Sequence, residues 1–576
     1  MSTSSPEWPP SALPDPAALT KLANELFAAL PGTGPAISAV GGSAPTETSL
    51  RTFPTAGAGA TGASPQPLVA AAAPGTTGSL YYFLDSVLSN PPHTVPIALG
   101  EADFYPPITP RTVETGGSPL TPTPEAAGGS LYFLDELRAL TATPHGPDDK
   151  ATLARPEAAT GLASAHPAFD AYAVRRDFPI LQERVHGRPL IWLDNAATTQ
   201  KPQAVIDRLS SFYQHENSNI HRAAHELAAR ATDAYEAARN KVARFLHAAS
   251  SEEIVFLRGT TEAINLVAQA WGRRNIGKDD EIVITWLEHH ANIVPWQQLC
   301  AETGARLRVA PVDDCGQVLL DEYEKLLGSR TRLVSFSQVS NALGTITPAR
   351  EMIEIAHRYG VRVLVDGAQA VSHLRVDVQA LDCDWYVFSG HKVFGSTGIG
   401  ALYGKLDLLN ATPPWQGGGN MILDVTFEKT VYQPAPARFE AGTGNIADAV
   451  GLGAALDYLE RIGIDNVTRY EHDLLLYATQ GLSRVPGLRL IGTAPEKAGV
   501  LSFVLNGFRS EDVGDALNRE GIAVRSGHHC AQPILRRFGL ESTVRPSLAL
   551  YNTCADIDAL VAALLRIQGG RNVRLA

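Results

Sequence analysis

Residues 362–392 read RVLVDGAQAVSHLRVDVQALDCDWYVFSGHK. Two short apolar runs, Arg362–Val365 and Trp385–Phe388, each stop at a polar residue, Asp366 and Ser389, and each is followed by a glycine. Short apolar runs bounded in this way suit strands buried on both faces. The same pattern extends outward. Glu253–Leu257, Glu281–Thr285, Arg306–Val312 and Arg332–Phe336 are further apolar runs, and helical patterns lie between them at Thr261–Trp271, Asn292–Ala301 and Ala349–Tyr359. Such alternation predicts an α/β fold with a parallel sheet covered by helices on both faces. Ligands of these sheets bind beyond the carboxyl ends of the strands, so chemistry is expected just after each run.

Arg258-Gly259-Thr260-Thr261-Glu262 follows the first run and opens a helix. Amides and hydroxyls at a helix start bind anions, and the same residues serve equally as an ordinary cap. Glu288-His289-His290-Ala291-Asn292 follows the second run. Adjacent histidines seldom converge on one ion, and no further His, Cys or Glu cluster with metal-ligand spacing accompanies them. An imidazole beside a planar cofactor is the better functional reading for His289, and a structural role remains open for His290. Asp366 suits either a ligand's ring nitrogen or a helix cap. Lys392, in Ser389-Gly390-His391-Lys392 ahead of Gly395-Ser396-Thr397-Gly398, reads alone as a surface lysine. If desolvated, it can form a Schiff base. Together these residues meet the needs of pyridoxal phosphate: a carboxylate for the ring nitrogen, a lysine for the aldehyde, and hydroxyls with amides for the phosphate.

Further stretches make a family resemblance specific. They are Leu193-Asp194-Asn195-Ala196-Ala197, the run Glu288 to Trp296, Arg438-Phe439-Glu440-Ala441-Gly442-Thr443, and Arg525-Ser526-Gly527-His528-His529-Cys530-Ala531. With the motifs above, in this order, residues 166 to about 572 resemble the group II cysteine desulfurases of the sulfur-mobilisation (SUF) type. Those are class V aminotransferase-like, fold-type I pyridoxal-phosphate enzymes. The resemblance implies a large domain at 191–458 with a mostly parallel seven-stranded sheet. It implies a smaller α/β domain at 459–576 that carries the cysteine loop, and a segment at 166–190 packed on that smaller domain.

The resemblance also implies roles. Lys392 corresponds to the Schiff-base lysine, Asp366 to the partner of the pyridine nitrogen and Gln369 to a neighbour of the ring hydroxyl. His289 corresponds to the histidine stacked on the ring and involved in proton transfer. Thr260, Thr261, Ser389 and His391 correspond to the phosphate site. Thr443 corresponds to a phosphate contact donated by a second subunit, which implies a homodimer. Arg545 corresponds to the clamp on the substrate carboxylate, with Asn341 and Arg525 beside it. Cys530 decides the chemistry. It corresponds to the thiol that takes sulfur from L-cysteine, releasing alanine and holding a persulfide for an acceptor protein or small thiol. His528 and His529 are placed to favour its thiolate. The alternatives are a selenocysteine lyase, because this group often accepts selenocysteine, and a desulfurase whose N-terminal extension docks another partner. Phe394 and Asn420 depart from the family pattern, at positions to which none of these roles attaches.

The first 165 residues are a different kind of sequence. They hold 24 of the 39 prolines, no cysteine and few charges, and they are rich in Ala, Gly, Ser and Thr. Such a segment buries too little apolar surface to offset chain entropy, and disorder is expected. Gly-Ser-Leu-Tyr-Tyr-Phe-Leu-Asp at 78–85 returns as Gly-Ser-Leu-Tyr-Phe-Leu-Asp at 129–135. Leu19, Leu22, Leu26, Phe27 and Leu30 mark one face of a helix over 16–30, with Asp15 as cap and Pro16 at its first position. These read as short docking motifs (about 16–30, 78–88 and 129–140) that gain avidity on one chain, or as apolar patches that fold back on the catalytic body. The architecture resembles the extensions of desulfurases packaged in family 2 encapsulin shells, which implies a shell protein as partner and a place inside a cytoplasmic nanocompartment.

Composition excludes other classes. The whole chain has 576 residues and a formal net charge of -12, without the basic patch expected of a nucleic-acid binder. No apolar run reaches a membrane span, and the start lacks the pattern of a secretory signal. Five scattered cysteines at 300, 315, 383, 530 and 554 form no CxxC pair, which fits a reducing, cytoplasmic setting.

Overall fold

Seven strands form the central sheet: β1 (Ile254–Leu257), β2 (Glu281–Thr285), β3 (Arg306–Ala310), β4 (Thr331–Ser337), β5 (Arg362–Asp366), β6 (Trp385–Ser389) and β7 (Gly400–Gly404). Their order is β1-β7-β6-β5-β4-β2-β3. Strands β2 to β6 run parallel, while β7 is antiparallel to both of its neighbours. The sheet is therefore mostly parallel, as the resemblance implies. Every residue of β6 and β7 is buried, which explains runs without alternation. The edge strand β3 is largely exposed and carries charge, with Arg306 paired to Asp279 and Arg308 to Glu281. Charged side chains on an edge discourage strand addition.

The computed structural model describes residues 169–221 and 225–572. The expected helix at 16–30, the motifs at 78–85 and 129–135 and the expected disorder of residues 1–165 lie outside the described residues. Among the described residues no helix is long and apolar enough to cross a membrane.

Helices α1 (Gln203–His215), α2 (Glu226–Leu246), α3 (Thr260–Leu266), α4 (Val294–Thr303), α5 (Ala349–Arg358) and α6 (Ile446–Ile462) surround the sheet. α6 packs on α1 and α2 through a face that includes Gly451, where a Cβ would stand 2.9 Å from Leu209 Cδ2. The helical pattern expected over Thr261–Trp271 divides at Val267, where a π-helical turn continues to Gly272. The helix expected from Asn292 starts at Val294, because Asn292 is used in a 3-10 turn and Pro295 suits a first turn. β7 escapes sequence reading, since it is short and begins and ends in glycine.

A second sheet has four antiparallel strands in the order β8-β9-β11-β10: β8 (Leu488–Ile491), β9 (Ser502–Leu505), β10 (Arg525–Gly527) and β11 (Thr543–Arg545). Leu474, Leu482, Leu517, Ile557 and Leu560, from α7 (Ile464–Ser483), α8 (Ser510–Arg519) and α9 (Cys554–Asn572), cover it with one apolar cluster. The chain before β1 ties the two layers together. Ile191–Trp192 pairs parallel with Ile522–Ala523, and Asn195 Nδ2 donates to Ser547 O at 2.6 Å. Ahead of it, Arg175 pairs with Asp556 on α9 at 3.0 Å, Phe169 stacks on Tyr470 of α7, and Phe178 is fully buried against Tyr458 and Tyr551.

Candidate active site

The carboxyl ends of β4, β5 and β6 and the starts of the helices after β1 and β2 open onto one cavity of about 190 Å³. Its walls include Thr260, Thr261, His289, Asn341, Asp366, Gln369, Ser389, His391, Lys392, Arg525, Cys530 and Arg545. Every predicted site residue is therefore in one place except Thr443. That threonine is exposed and lines a separate cavity with Trp415 and Gly398.

Strand ends set the floor. Asp366 closes β5 beside Ser337 of β4 and Val387 of β6. Its Oδ1 accepts from Ala368 N at 2.9 Å, and burial raises its pKa while Lys392 opposes the rise. β6 ends at Ser389, and the 3-10 turn Gly390–Lys392 presents the lysine. Burial pulls the Lys392 amine down to about 8, with Asp366 pulling upward. Gln369 Nε2 donates to Ala196 O at 2.6 Å, which holds the 193–197 strap over the turn.

The anion side is built from β1 and β6. Thr260 N donates to Ser389 Oγ at 2.9 Å, and Ser389 Oγ lies 3.0 Å from Thr260 Oγ1. This contact needs Gly259. Its φ is +147°, and a Cβ there would stand 2.8 Å from Ser389 Oγ. Burial lowers the His391 imidazole to about 4, so the ring is neutral near pH 7.

His289 is also neutral, since burial, aided by Lys392, lowers it to about 3. Its Nδ1 accepts from Ala291 N at 3.0 Å, which leaves the ring proton on Nε2. Directly beside it, Glu288 is fully buried and accepts from Thr285, Asn292 and Ser337.

The second sheet supplies the opposite wall. Arg545 ends β11, is 2% exposed, and donates to Asn341 O at 3.0 Å and Asp194 Oδ1 at 3.1 Å. Cys530 follows the end of β10. Its loop is tightly wound: Gly527, His529 and Cys530 all have positive φ, at 125°, 54° and 55°. Cys530 N donates to His528 Nδ1 at 3.0 Å, Cys530 O accepts from His290 N at 2.8 Å, and Asn341 Nδ2 donates to His529 O at 2.7 Å. The half-buried thiol thus sits on a loop fastened to both layers.

His529 departs from expectation. It is buried, its Nε2 meets Thr543 Oγ1 at 2.8 Å, and burial lowers its pKa to about 2. A neutral ring supplies no positive charge to a thiolate. Sequence reading also gave no role to Asp194, the ion-pair partner of Arg545, or to Glu288. Both stand inside the motifs that carry the resemblance, but Arg545, the partner of Asp194, and Ser337, one of the three partners of Glu288, lie far along the chain.

The residues fit pyridoxal phosphate. Asn341 Oδ1, His529 Nδ1 and Arg545 Nε are buried without a hydrogen-bond partner at this one cavity. Buried polar atoms are seldom left unpaired, and a polar ligand satisfies such atoms. Lys392, Arg525 and Arg545 face the cavity against the single lining carboxylate of Asp366, a balance suited to a phosphate and a second carboxylate.

Comparison with known proteins agrees with this geometry. The family model described as aminotransferase class-V matches residues 191–560. A cysteine desulfurase of Synechococcus elongatus is 72% identical over 449 residues, which span 77% of this chain and 72% of that protein. A probable cysteine desulfurase of Mycolicibacterium paratuberculosis is 58% identical over 484 residues, spanning 84% of this chain and 68% of its own. Among solved structures, the cysteine desulfurase CsdA (S-sulfonic acid) from Escherichia coli aligns with a TM-score of 0.65 at 40% identity, over 70% of this chain and 99% of that one. The chain belongs to the class-V aminotransferase family of pyridoxal-phosphate enzymes, in its cysteine desulfurase branch.

Proposed function

We propose that this desulfurase is of the group II, SUF type, and that it moves the sulfur of L-cysteine onto Cys530. The observation that carries the reading is that Lys392, Asp366, Arg545 and Cys530 face one cavity. When bound, pyridoxal phosphate captures the substrate amine and takes up the electron pair released at its α-carbon.

The chain's own residues do the rest. Thr260, Thr261, Ser389 and His391 would hold the phosphate, Thr443 of a second copy would complete that site, and Asp366 would pair with the ring nitrogen. Gln369 would serve the ring hydroxyl. Arg545, with Asn341 and Arg525 beside it, holds the substrate carboxylate. Lys392, an amine of low basicity, removes the α-proton. His289, with its ring proton on Nε2, would stack on the bound cofactor and would serve as the proton-transfer group. Cys530 as thiolate then attacks the substrate sulfur. The carbon–sulfur bond breaks and a sulfur–sulfur bond forms, while the bonding pair stays with the carbon that becomes the methyl group of alanine. Atoms and electrons balance without an external oxidant. A protein or small thiol removes the outer sulfur afterwards. Wild type should release alanine from L-cysteine and Cys530→Ala should lose multiple-turnover activity; equal rates would refute the role of Cys530.

The residues before 166 we assign to docking, on the strength of the repeated Gly-Ser-Leu-Tyr-Phe-Leu-Asp element. The proposed partner is an encapsulin shell in the cytoplasm. A chain that begins at residue 166 should keep kcat within about twofold and fail to co-assemble with the shell. Co-purification of the shortened enzyme inside shells would end this assignment.

A further inference from the structure

Beneath His289 the fold keeps a carboxylate that the proposed reaction does not use. Glu288 has no exposed surface. Its Oε1 accepts from Thr285 Oγ1 at 2.6 Å; its Oε2 accepts from Asn292 Nδ2 at 2.6 Å and Ser337 Oγ at 2.7 Å. These donors come from three places: the end of β2, the turn before α4, and the end of β4, whose Ser337 also lines the cavity. All are neutral. Burial raises its pKa to about 7, with these hydrogen bonds opposing the rise, so the group is costly to keep charged and a poor choice for packing alone.

The bonds lead to the imidazole. Asn292 closes the 3-10 turn His290–Asn292 and is held on its other side, since its Oδ1 accepts from Trp296 Nε1 at 2.9 Å and Ser335 Oγ at 2.6 Å. Ala291, in the middle of that turn, donates the N–H that His289 Nδ1 accepts. The orientation of the ring and the location of its proton depend on where this turn sits.

We propose that Glu288 is a positioning residue for the desulfurase reaction: through Asn292 and the turn His290–Asn292 it holds the His289 imidazole in one orientation, with its proton on Nε2. This rests on the reading of His289 as a proton-transfer group. Glutamine can take the same place. Its oxygen accepts from Asn292 and Ser337, and its amide donates to Thr285 once that hydroxyl turns.

The test uses the full-length holoenzyme and alanine formation from L-cysteine, followed in single-turnover mode where rates are low. Glu288→Ala should lower kcat about 10–100-fold, the scale for groups that orient a catalytic ligand. KM and the visible absorbance of the bound cofactor should stay near wild type. Glu288→Gln should restore most of the rate. In a His289→Ala background, Glu288→Ala should cost less than about twofold, because the group it positions is gone. An undiminished loss in that background would show a purely structural role and overturn the proposal, as would a wild-type kcat in Glu288→Ala. If Glu288→Ala fails to hold cofactor, Asn292→Ala replaces it in the same cycle: a loss that vanishes without His289 supports the proposal, and a loss that persists overturns it. If wild type forms no alanine, the underlying reading falls; if only the Glu288 effects are missing, the positioning claim alone falls.

Discussion

Arg545 shows how much a single buried side chain carries. It lines the cavity as the proposed clamp on the substrate carboxylate, and it is already committed to Asn341 O and Asp194. Its remaining Nε has no partner. Charge-assisted bonds contribute about 1.5–3 kcal/mol each. Arg545→Lys should therefore raise KM for L-cysteine about 10–100-fold with the cofactor retained, because an ammonium cannot replace the planar fork. An unchanged KM in steady-state alanine assays would contradict the role. His529 offers a stability test. Its folded pKa is lowered to about 2 from the ordinary 6.5. Below pH 6.5 the unfolded chain binds a proton that the fold refuses, so stability is lost progressively as pH falls toward 2. The loss is at most about 1.4 kcal/mol per pH unit. Urea midpoints at pH 6.5 and 5.0 should diverge more for wild type than for His529→Gln; equal divergence would show that His529 is charged in the fold. At this scale the sequence was legible where a residue ends a strand, as Asp366 does, or closes the turn just after one, as Lys392 does. It was silent on pairs such as Arg545–Asp194, whose partners are 351 positions apart.

Elements were legible in proportion to their burial. The continuous apolar runs of β2, β4 and β5 fall within one residue of the observed strands, because both faces of each strand meet helices. The π-helical turn at Val267–Gly272 carries no periodicity distinct from an α-helix, and β7 carries too little side chain to register. Nor does sequence reveal how α2 is fixed to β1. Arg239 of α2 has a side chain 3% exposed and pairs with Glu440 at 2.6 Å. Glu440 Oε1 also accepts from Phe256 N at 2.8 Å, and its Oε2 meets Tyr235 Oη at 3.1 Å. Removing one partner of a buried pair costs up to about 3–5 kcal/mol, and Arg239 keeps a second partner in Glu236 at 2.9 Å, so the cost falls below that figure. Glu440→Ala should lower the urea midpoint by a corresponding amount, and a midpoint unchanged from wild type would show that water replaces the carboxylate.

At the scale of the whole molecule, one cavity collects residues scattered from Thr260 to Arg545 because two sheets meet there. The first contributes Asp366, Lys392 and His289 from its strand ends; the second contributes Arg545 and the cysteine loop. Composition sets the proline-rich first 165 residues apart from the sequence that follows, and the Escherichia coli structure is 99% covered by 70% of this chain. A chain that begins at residue 166 is accordingly expected to release alanine from L-cysteine, and loss of that activity would contradict the division. The account as a whole stands on a thiol that accepts sulfur beside a lysine-held cofactor. Intact-peptide mass spectrometry after brief incubation with L-cysteine tests it most directly. The peptide bearing Cys530 should gain about 32 Da, removable by a reducing thiol, as expected for a persulfide. Alanine formation with no mass gain on that peptide would contradict the account.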